Sequence, residues 1–470
     1  MVTDCRSQKI FITKGRYMTQ VTPRIVIAGT NSGSGKTTVS CALMQALVDR
    51  GLRTGAFKCG PDYIDPMFHS RIIGAKSSNL DLYFFDPETA RYLLAKNSRN
   101  SDISIIEGVM GFYDGLEITG TKASTYDVAR ITESPVVLTV NARGAALSVL
   151  AVIKGFMDFC PDSNIAGVIL NQCTEGTYNV LRSEILKRFG GKIKPLGYLP
   201  KMPDVIIESR HLGLVTAGEI SDLKEKMHAL SVQAEKSFDI DGIIELARSA
   251  SDISYEKPET ASFEKPVRIA VARDEAFCFY YEDSIEILQE MGAQIIDFSP
   301  LNDRLLPENI QGVYFGGGYP ELYAARLSEN ASMRASVLSS LQRGLPCIAE
   351  CGGFMYLTES IEDHEMVGLL KGKCFNTGKL SRFGYVDLNA EKDGMLCSAG
   401  EHIRGHEFHY WDCSVTGEDF LARKNSGKSW KCVYHSDTLY AGFPHFHFYA
   451  NPGFAENYYR ACLKYSQTAG

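Results

Sequence analysis

Short apolar runs alternate with helical stripes along the first half of the chain. Arg24–Gly29 (RIVIAG), Asp102–Glu107 (DISIIE), Pro135–Asn141 (PVVLTVN) and Ile165–Asn171 (IAGVILN) are rich in Ile and Val and predict buried strands. Their continuity, with no in-out alternation, fits a parallel sheet covered on both faces. Between the first two, Val39, Ala42, Leu43, Ala46 and Leu47 recur at helical spacing and predict one apolar stripe facing the sheet. From Ile253 to Pro266 the pattern breaks. That stretch is polar, carries two prolines, lacks sustained periodicity and predicts a linker. The alternation then restarts with predicted strands at Val267–Val271, Ala293–Phe298, Gly312–Phe315 and Pro346–Ala349, and a helix at Tyr281–Met291. Residues 390 to 431 carry weaker signals that suit antiparallel strands and loops. The expected organisation is an extension over residues 1–20, an α/β domain over 21–252, a linker over 253–266 and a second α/β domain over 267–470.

The length of 470 residues agrees, since chains of this size split into two or three domains. Hydrophobic residues make up 44% and charged residues 22%, as in ordinary globular proteins. The formal net charge of −7 argues against a general nucleic-acid binder. It leaves room for a polyanionic small substrate held by a local cluster of Lys and Arg. No apolar run approaches the length of a bilayer span, and Met1–Gln20 has no apolar centre of the signal-peptide kind. Met18 is an alternative start. Thirteen Cys without a CxxC pair give no support to zinc or iron–sulfur ligation and point to a reducing cytoplasm.

Chemistry enters at Gly29-Thr30-Asn31-Ser32-Gly33-Ser34-Gly35-Lys36-Thr37-Thr38, between a predicted strand and a predicted helix. Gly33 and Gly35 let backbone N–H groups approach phosphate oxygens, and the helix N-terminus adds a favourable dipole. With Ser34 and Thr38 they complete a nucleotide-binding loop in which Lys36 meets the terminal phosphates and the Thr37 hydroxyl meets Mg²⁺. Five residues separate Gly29 from Gly35, one more than in the common phosphate loop. Carboxylates for Mg²⁺ are offered by FKCGPDYIDP (Phe57–Pro66) and EGVMGFYDG (Glu107–Gly115). Asp62 and Glu107 are the candidate metal ligands, and Asp65 and Asp114 the candidates for positioning substrate or phosphate. Asp also closes turns and caps helices, whereas Glu is not a favoured turn residue. Asn171, at a strand end, is a candidate reader of the nucleotide base.

In the second half, Glu350-Cys351-Gly352-Gly353 follows an apolar run and precedes a plausible helix start. A Cys on such a turn is held exposed, and the helix N-terminus favours its thiolate. Gly352 allows the tight turn. Upstream, Gly316-Gly317-Gly318-Tyr319-Pro320 follows another strand, so that Gly317 and Gly318 can aim N–H groups at an oxyanion. His445 and His447, two apart and therefore on one face of a strand, are the candidate bases.

Together these segments resemble the cobyrinic acid a,c-diamide synthase family from about residue 23 to 455. The segments that carry it are AGTNSGSGKTT, FKCGPDYIDP, NLDLYFF, EGVMGFYDG, RHLGL, ARDEAFCFYY, GGGYPEL, AECGGFMYL, GHEFHY and HFHF. The resemblance implies a P-loop, dethiobiotin-synthetase-like N-terminal domain and a class I glutamine amidotransferase C-terminal domain. It also implies Cys351 as nucleophile with His445 as base, and ATP- and L-glutamine-dependent amidation of the a and c acetates of a tetrapyrrole polycarboxylate. A homodimer is the further implication. Many class I glutaminases carry Glu two residues after the His, where this chain has His447, so the group that orients His445 is left open. Cys59 and Cys278 stand inside motifs that usually hold other residues. Arg71, Arg130, Arg210 and His211 are candidates for the macrocycle's carboxylates.

Within the same chemistry the nickel-sirohydrochlorin a,c-diamide synthases share nearly all of these motifs, and a metal-free hydrogenobyrinate is a third substrate option. From another class, a partitioning-type switch ATPase is the alternative for the N-terminal half. Such proteins carry a second Lys near the loop's start, which Gly29-Thr30-Asn31 does not offer.

Overall fold

A computed structural model describes residues 10–12, 17–205 and 217–468. Arg210, His211 and the RHLGL segment lie outside the described residues. The chain divides between Pro258 and Glu259 into two compact units. No helix of the described residues is long and apolar enough to cross a membrane.

The N-terminal unit is built on seven parallel strands. Their order is Lys76–Leu80, Thr54–Cys59, Ile103–Glu107, Arg24–Gly29, Val136–Asn141, Ile165–Asn171, Lys194–Leu199. The Arg24–Gly29 strand is central. From it the chain first builds to one side and later, from Val136, to the other. This reversal opens a crevice at the strands' carboxyl ends, where ligands of such sheets gather. The outer strands, KSSNL and KPLGYL, escape a reading of apolar runs because they are short and partly polar. The Lys36–Asp49 helix buries Val39, Ala42, Leu43, Ala46 and Leu47 completely, as predicted. It is not limited to one stripe, however. Cys41 and Met44 are equally buried, because the Ala217–Ser237 helix adds Met227, Leu230 and Ala234 to the same core.

One departure concerns the expected extension and linker. Tyr17–Gln20 pairs antiparallel with Ile253–Glu256, with Met18 opposite Tyr255. Ile253 and Tyr255 are buried while Ser254 points out, a strand alternation too short for periodicity to reveal. The Tyr255 ring packs 5.9 Å from that of Tyr92.

The C-terminal unit holds a six-stranded sheet ordered Ala293–Phe298, Val267–Ala272, Gly312–Phe315, Cys347–Glu350, Leu439–Gly442, Tyr434–His435. All its strands are parallel except the last. The predicted helix runs over Glu282–Glu290, with Tyr281 and Met291 at its caps. The weakly patterned region forms an antiparallel sheet of five strands: Ser429–Cys432, Phe420–Arg423, Arg382–Ala390, His402–His409 and His445–Phe446. Two details place the site. The Cys347–Glu350 strand extends one residue past its predicted end, bringing Glu350 into register with Gly442. After Gly442 the chain leaves the parallel sheet through Phe443 and Pro444, and His445 pairs with His406 in the antiparallel one.

Candidate active site

The nucleotide loop springs from the central strand. Gly33 and Gly35 have φ of 80° and 95°, a left-handed backbone that favours glycine. Space is a second reason for Gly35: a Cβ there would stand 2.0 Å from the Asn171 Nδ2. The Asn171 Nδ2 donates to the Ser34 carbonyl at 2.9 Å and its Oδ1 accepts from the Gln172 N–H, so the side chain props the loop. Ser34 is fully buried with an Oγ that has no hydrogen-bond partner among the described residues. Thr38 is half-buried beside Thr37 at the helix start. The Lys36 ammonium donates to the Asn31 carbonyl at 3.2 Å and also to the Met110 carbonyl. The Glu107–Gly115 loop is held against the central strand by Gly108 N–H to Ile27 O and Phe112 N–H to Gly29 O.

A buried charge cluster lies beneath the loop. Glu107 ends its strand with no solvent exposure, and its Oε1 accepts from the Thr37 hydroxyl at 2.7 Å and from Lys58 at 2.8 Å. Lys58 also lies 2.5 Å from Asp65, and His69 Nε2 lies 3.2 Å from Glu107 Oε2. Burial pulls the Lys58 ammonium down, but Glu107 and Asp65 override it and hold it well above its ordinary range. Burial likewise opposes the Glu107 charge, yet Lys58 and His69 hold this carboxyl well below the usual carboxylate range. Asp65 bears the consequence: burial and repulsion from Glu107 push it up to about 6 against the pull of Lys58. Burial and the neighbouring Lys58 charge lower Lys36. Sequence reasoning missed Lys58, although it stands in the quoted FKCGPDYIDP segment at a strand end.

The other two carboxylates serve their loops. Asp62 Oδ1 accepts from the Ile64 and Asp65 N–H groups at 2.8 and 3.1 Å, and Asp114 Oδ2 from the Gly111 N–H at 2.8 Å. Asn79 fixes the first loop by donating to the Gly60 and Asp62 carbonyls. Thr37 and Glu107, two adjacent oxygen donors, fit a hard cation best. Of the residues expected to face a polyanion, Arg130 is paired with Asp127 at 2.7 Å and Arg71 is exposed.

In the C-terminal unit Cys351 joins the Cys347–Glu350 strand to the Gly352–Leu357 helix with φ 48° and ψ −103°. A non-glycine residue held there is strained, as nucleophiles on sharp strand-to-helix turns are. Its N–H donates to the Gly442 carbonyl and its carbonyl accepts from Met355, which fixes the turn on both sides. Burial pushes the resting thiol up, nearby Glu321 adds to this, and the Gly352 N–H opposes it. Gly318 N lies 3.2 Å from where a Gly352 Cβ would stand, so the Gly316–Gly318 loop and the Cys351 turn meet there. The Gly317 carbonyl accepts from the Cys278 and Phe279 N–H groups, and its missing side chain leaves room for His445, whose Cε1 would stand 2.5 Å from a Cβ there.

The group that orients His445 is Glu350. Its Oε2 lies 3.0 Å from His445 Nδ1, and its Oε1 accepts from the Tyr314 hydroxyl at 2.8 Å. Both Glu350 and His445 are buried. This leaves Nε2, on the edge facing Gly317, as the basic nitrogen. A carboxylate ending an otherwise apolar buried strand was the available signal. His447 does not share the task. It follows the two-residue His445–Phe446 strand, and its Nδ1 accepts from the Tyr449 N–H to begin a short 3-10 turn. The His406 ring stacks on His445 at 5.1 Å. Burial, with the His445 charge second, holds it well below the ordinary histidine range.

Residues 25–215 match the CobQ/CobB/MinD/ParA nucleotide binding domain, and residues 268–453 the CobB/CobQ-like glutamine amidotransferase domain. The cobyrinate a,c-diamide synthase of Clostridium acetobutylicum is 42% identical over 93% of this chain and 99% of its own. That of Thermoplasma volcanium is 39% identical over 95% and 98%, and that of Listeria innocua 40% over 91% and 97%. With both domains matched and relatives of this identity spanning nearly its full length, the chain belongs to the cobyrinate a,c-diamide synthase family, glutamine-dependent carbon–nitrogen ligases with a nucleotide-binding P-loop domain.

Proposed function

We propose that this protein amidates the a and c acetate carboxylates of cobyrinic acid, using ATP to activate each carboxylate and glutamine to supply ammonia in the cytoplasm. The observation that carries the glutamine half is the Glu350–His445 pair set against the strained Cys351 turn. His445 Nε2 takes the thiol proton, and the sulfur attacks the side-chain amide of glutamine. The Gly318 and Gly352 N–H groups meet the oxyanion that forms. His445 returns the proton to the departing ammonia, and water then hydrolyses the thioester.

An unactivated carboxylate resists ammonia because oxide is a poor leaving group. Transfer of the ATP γ-phosphoryl group to the carboxylate gives an acyl phosphate, from whose acyl carbon ammonia displaces inorganic phosphate. Lys36 stabilises charge on the phosphoryl oxygens and Lys58 supplies a second fixed positive charge beneath them. Thr37 and Glu107 are the residues to hold a Mg²⁺ ion, which supplies further neutralisation of phosphate charge. Asp62 would contribute Oδ2, and Asp65 and Asp114 order the two loops around the acceptor carboxylate. The protein acts as a homodimer in this reading. The relatives' names support a corrin substrate. Nickel-sirohydrochlorin carries the same two acetates on a related ring and is the alternative.

The test is the mass of the product after incubation of each macrocycle, metal-free hydrogenobyrinate included, with ATP, Mg²⁺ and glutamine. Two amides on cobyrinate and none on the others is the expected result. Amidation of nickel-sirohydrochlorin in preference would replace the proposal. Cys351→Ser should abolish glutamine use yet sustain amidation from ammonium salts; no amidation at high ammonium contradicts separable half-reactions.

A further inference from the structure

We propose that Tyr314 is a positioning residue of the glutaminase, holding the Glu350 carboxylate in the rotation that presents Oε2 to His445. This role rests on Cys351 as nucleophile with His445 as its base, and goes further, to what sets the angle of the acid behind that base. The carboxylate of a glutamate turns about a torsion with broad, shallow preferences. Burial alone does not choose its angle; two bonds do. Oε1 accepts from the Tyr314 hydroxyl at 2.8 Å, while Oε2 lies 3.0 Å from His445 Nδ1. With Oε1 tied, the plane of the carboxylate is set independently of the histidine.

The sheet explains why a tyrosine at this position reaches the carboxylate. Gly312–Phe315 and Cys347–Glu350 are neighbouring parallel strands, with Tyr314 opposite Ile348. Glu350 stands two residues past Ile348, so the three side chains share one face of the sheet. The length of the tyrosine covers that two-residue step. Its ring is held edge-to-face by Tyr280, with centroids 5.5 Å apart, and by Phe448 at 6.5 Å. Tyr280 is anchored in turn: its hydroxyl accepts from the Gly316 N–H at 2.8 Å and donates to the Ala272 carbonyl. Tyr314 and Glu350 are both buried, and no Lys or Arg is paired with the carboxylate among the described residues. A buried anion without a counter-cation depends on its hydrogen-bond donors. Burial, with the Glu350 charge next, pushes the Tyr314 hydroxyl well above the ordinary tyrosine range, so it stays a donor.

The experiment is a double-mutant cycle in the full-length protein, read by glutamate formation from L-glutamine. Tyr314→Phe removes the hydroxyl and keeps the ring. It is expected to lower kcat about 10- to 10²-fold, the scale of one hydrogen bond to a charged group. KM for glutamine should stay unchanged, and amidation from ammonium salts should stay at the wild-type level. In a Glu350→Gln background the same change should no longer lower kcat, because the freed amide can turn its oxygen towards His445 Nδ1. Placing para-aminophenylalanine at position 314, which keeps the ring and an N–H donor, should restore most of the lost kcat. A Tyr314→Phe protein within about threefold of wild-type kcat overturns the assignment. So does an equal loss in both backgrounds, or a loss that para-aminophenylalanine does not repair, since either makes Tyr314 a packing residue. If Tyr314→Phe also loses ammonium-supported amidation, its role is structural and the assignment falls. If Glu350→Gln by itself keeps wild-type kcat, the failure lies with the Glu350–His445 reading on which this role rests.

Discussion

Replacing Glu350 with Gln removes one charge at nearly constant volume and tests what orients His445. The Tyr314 hydroxyl, 2.8 Å from Oε1, keeps an acceptor if the amide oxygen faces it. The NH₂ end then faces His445 Nδ1, which lies 3.0 Å from Oε2 in the native protein. Nδ1 is thereby made an acceptor, the ring proton moves to Nε2, and the nitrogen facing Gly317 can no longer take the thiol proton. Loss of the charge-assisted bond alone is worth about 1.5–3 kcal/mol, or about 10- to 10²-fold in rate. The wrong tautomer adds to this, and the corresponding Asp→Asn change in a serine-protease triad costs about 10⁴. The expected fall in glutaminase kcat is therefore about 10²- to 10⁴-fold, with KM for glutamine little changed. Glutamate formation measures it, and amidation supported by ammonium salts, which bypasses His445, should stay at the wild-type level. A Glu350→Gln protein within about threefold of wild-type kcat would refute the reasoning, because a difference that small corresponds to well under one hydrogen bond.

Lys58→Met leaves Glu107 and Asp65 without their shared cation in a buried site, which should cost about 3–5 kcal/mol in chemical unfolding of the N-terminal unit; Glu107→Gln in the same chain should recover part of it. Asp65, raised to about 6 from 3.8, binds its proton more tightly in the folded state, so it favours folding at low pH and that contribution is lost as pH rises from about 4 to 6. Asp65→Asn should lack this downward slope, so wild-type-minus-variant stability should fall as pH rises through that window, and a difference that rises there contradicts the assignment. Gly35→Ala places a Cβ 2.0 Å from Asn171 Nδ2 at φ 95°. It should weaken nucleotide binding by at least about tenfold, given roughly 1–2 kcal/mol of left-handed strain before the clash is counted, as equilibrium titration with an ATP analogue would show.

The sheets were legible where strands are continuous apolar runs, because burial on both faces writes itself directly into composition. RIVIAG, IAGVILN and GVYF needed no context. KSSNL did not announce itself, since Ser77 is buried in the sheet and Asn79 is buried with its amide bonded to the Gly60 and Asp62 carbonyls, which no local window sees. Ile253–Glu256 was hidden for a different reason: its partner strand lies more than two hundred residues earlier in sequence. At the sites, residues whose chemistry is tied to a local motif could be found one by one: Lys36 and Thr37 on their loop, Cys351 on its turn. Lys58 and Glu350 act through partners far along the chain, and only the assembled sheets bring those partners close.

One peptide bond joins Glu350 to Cys351, so the acid that aims the base and the sulfur that relies on it travel as a single body. The spacing of their Cα atoms is fixed by covalent geometry, and only His445 arrives from another strand. Thermal motion between the two strands therefore has one joint to disturb where three scattered groups would present two. The Glu350–Gly442 pairing lies a few residues from that joint and acts as its hinge pin.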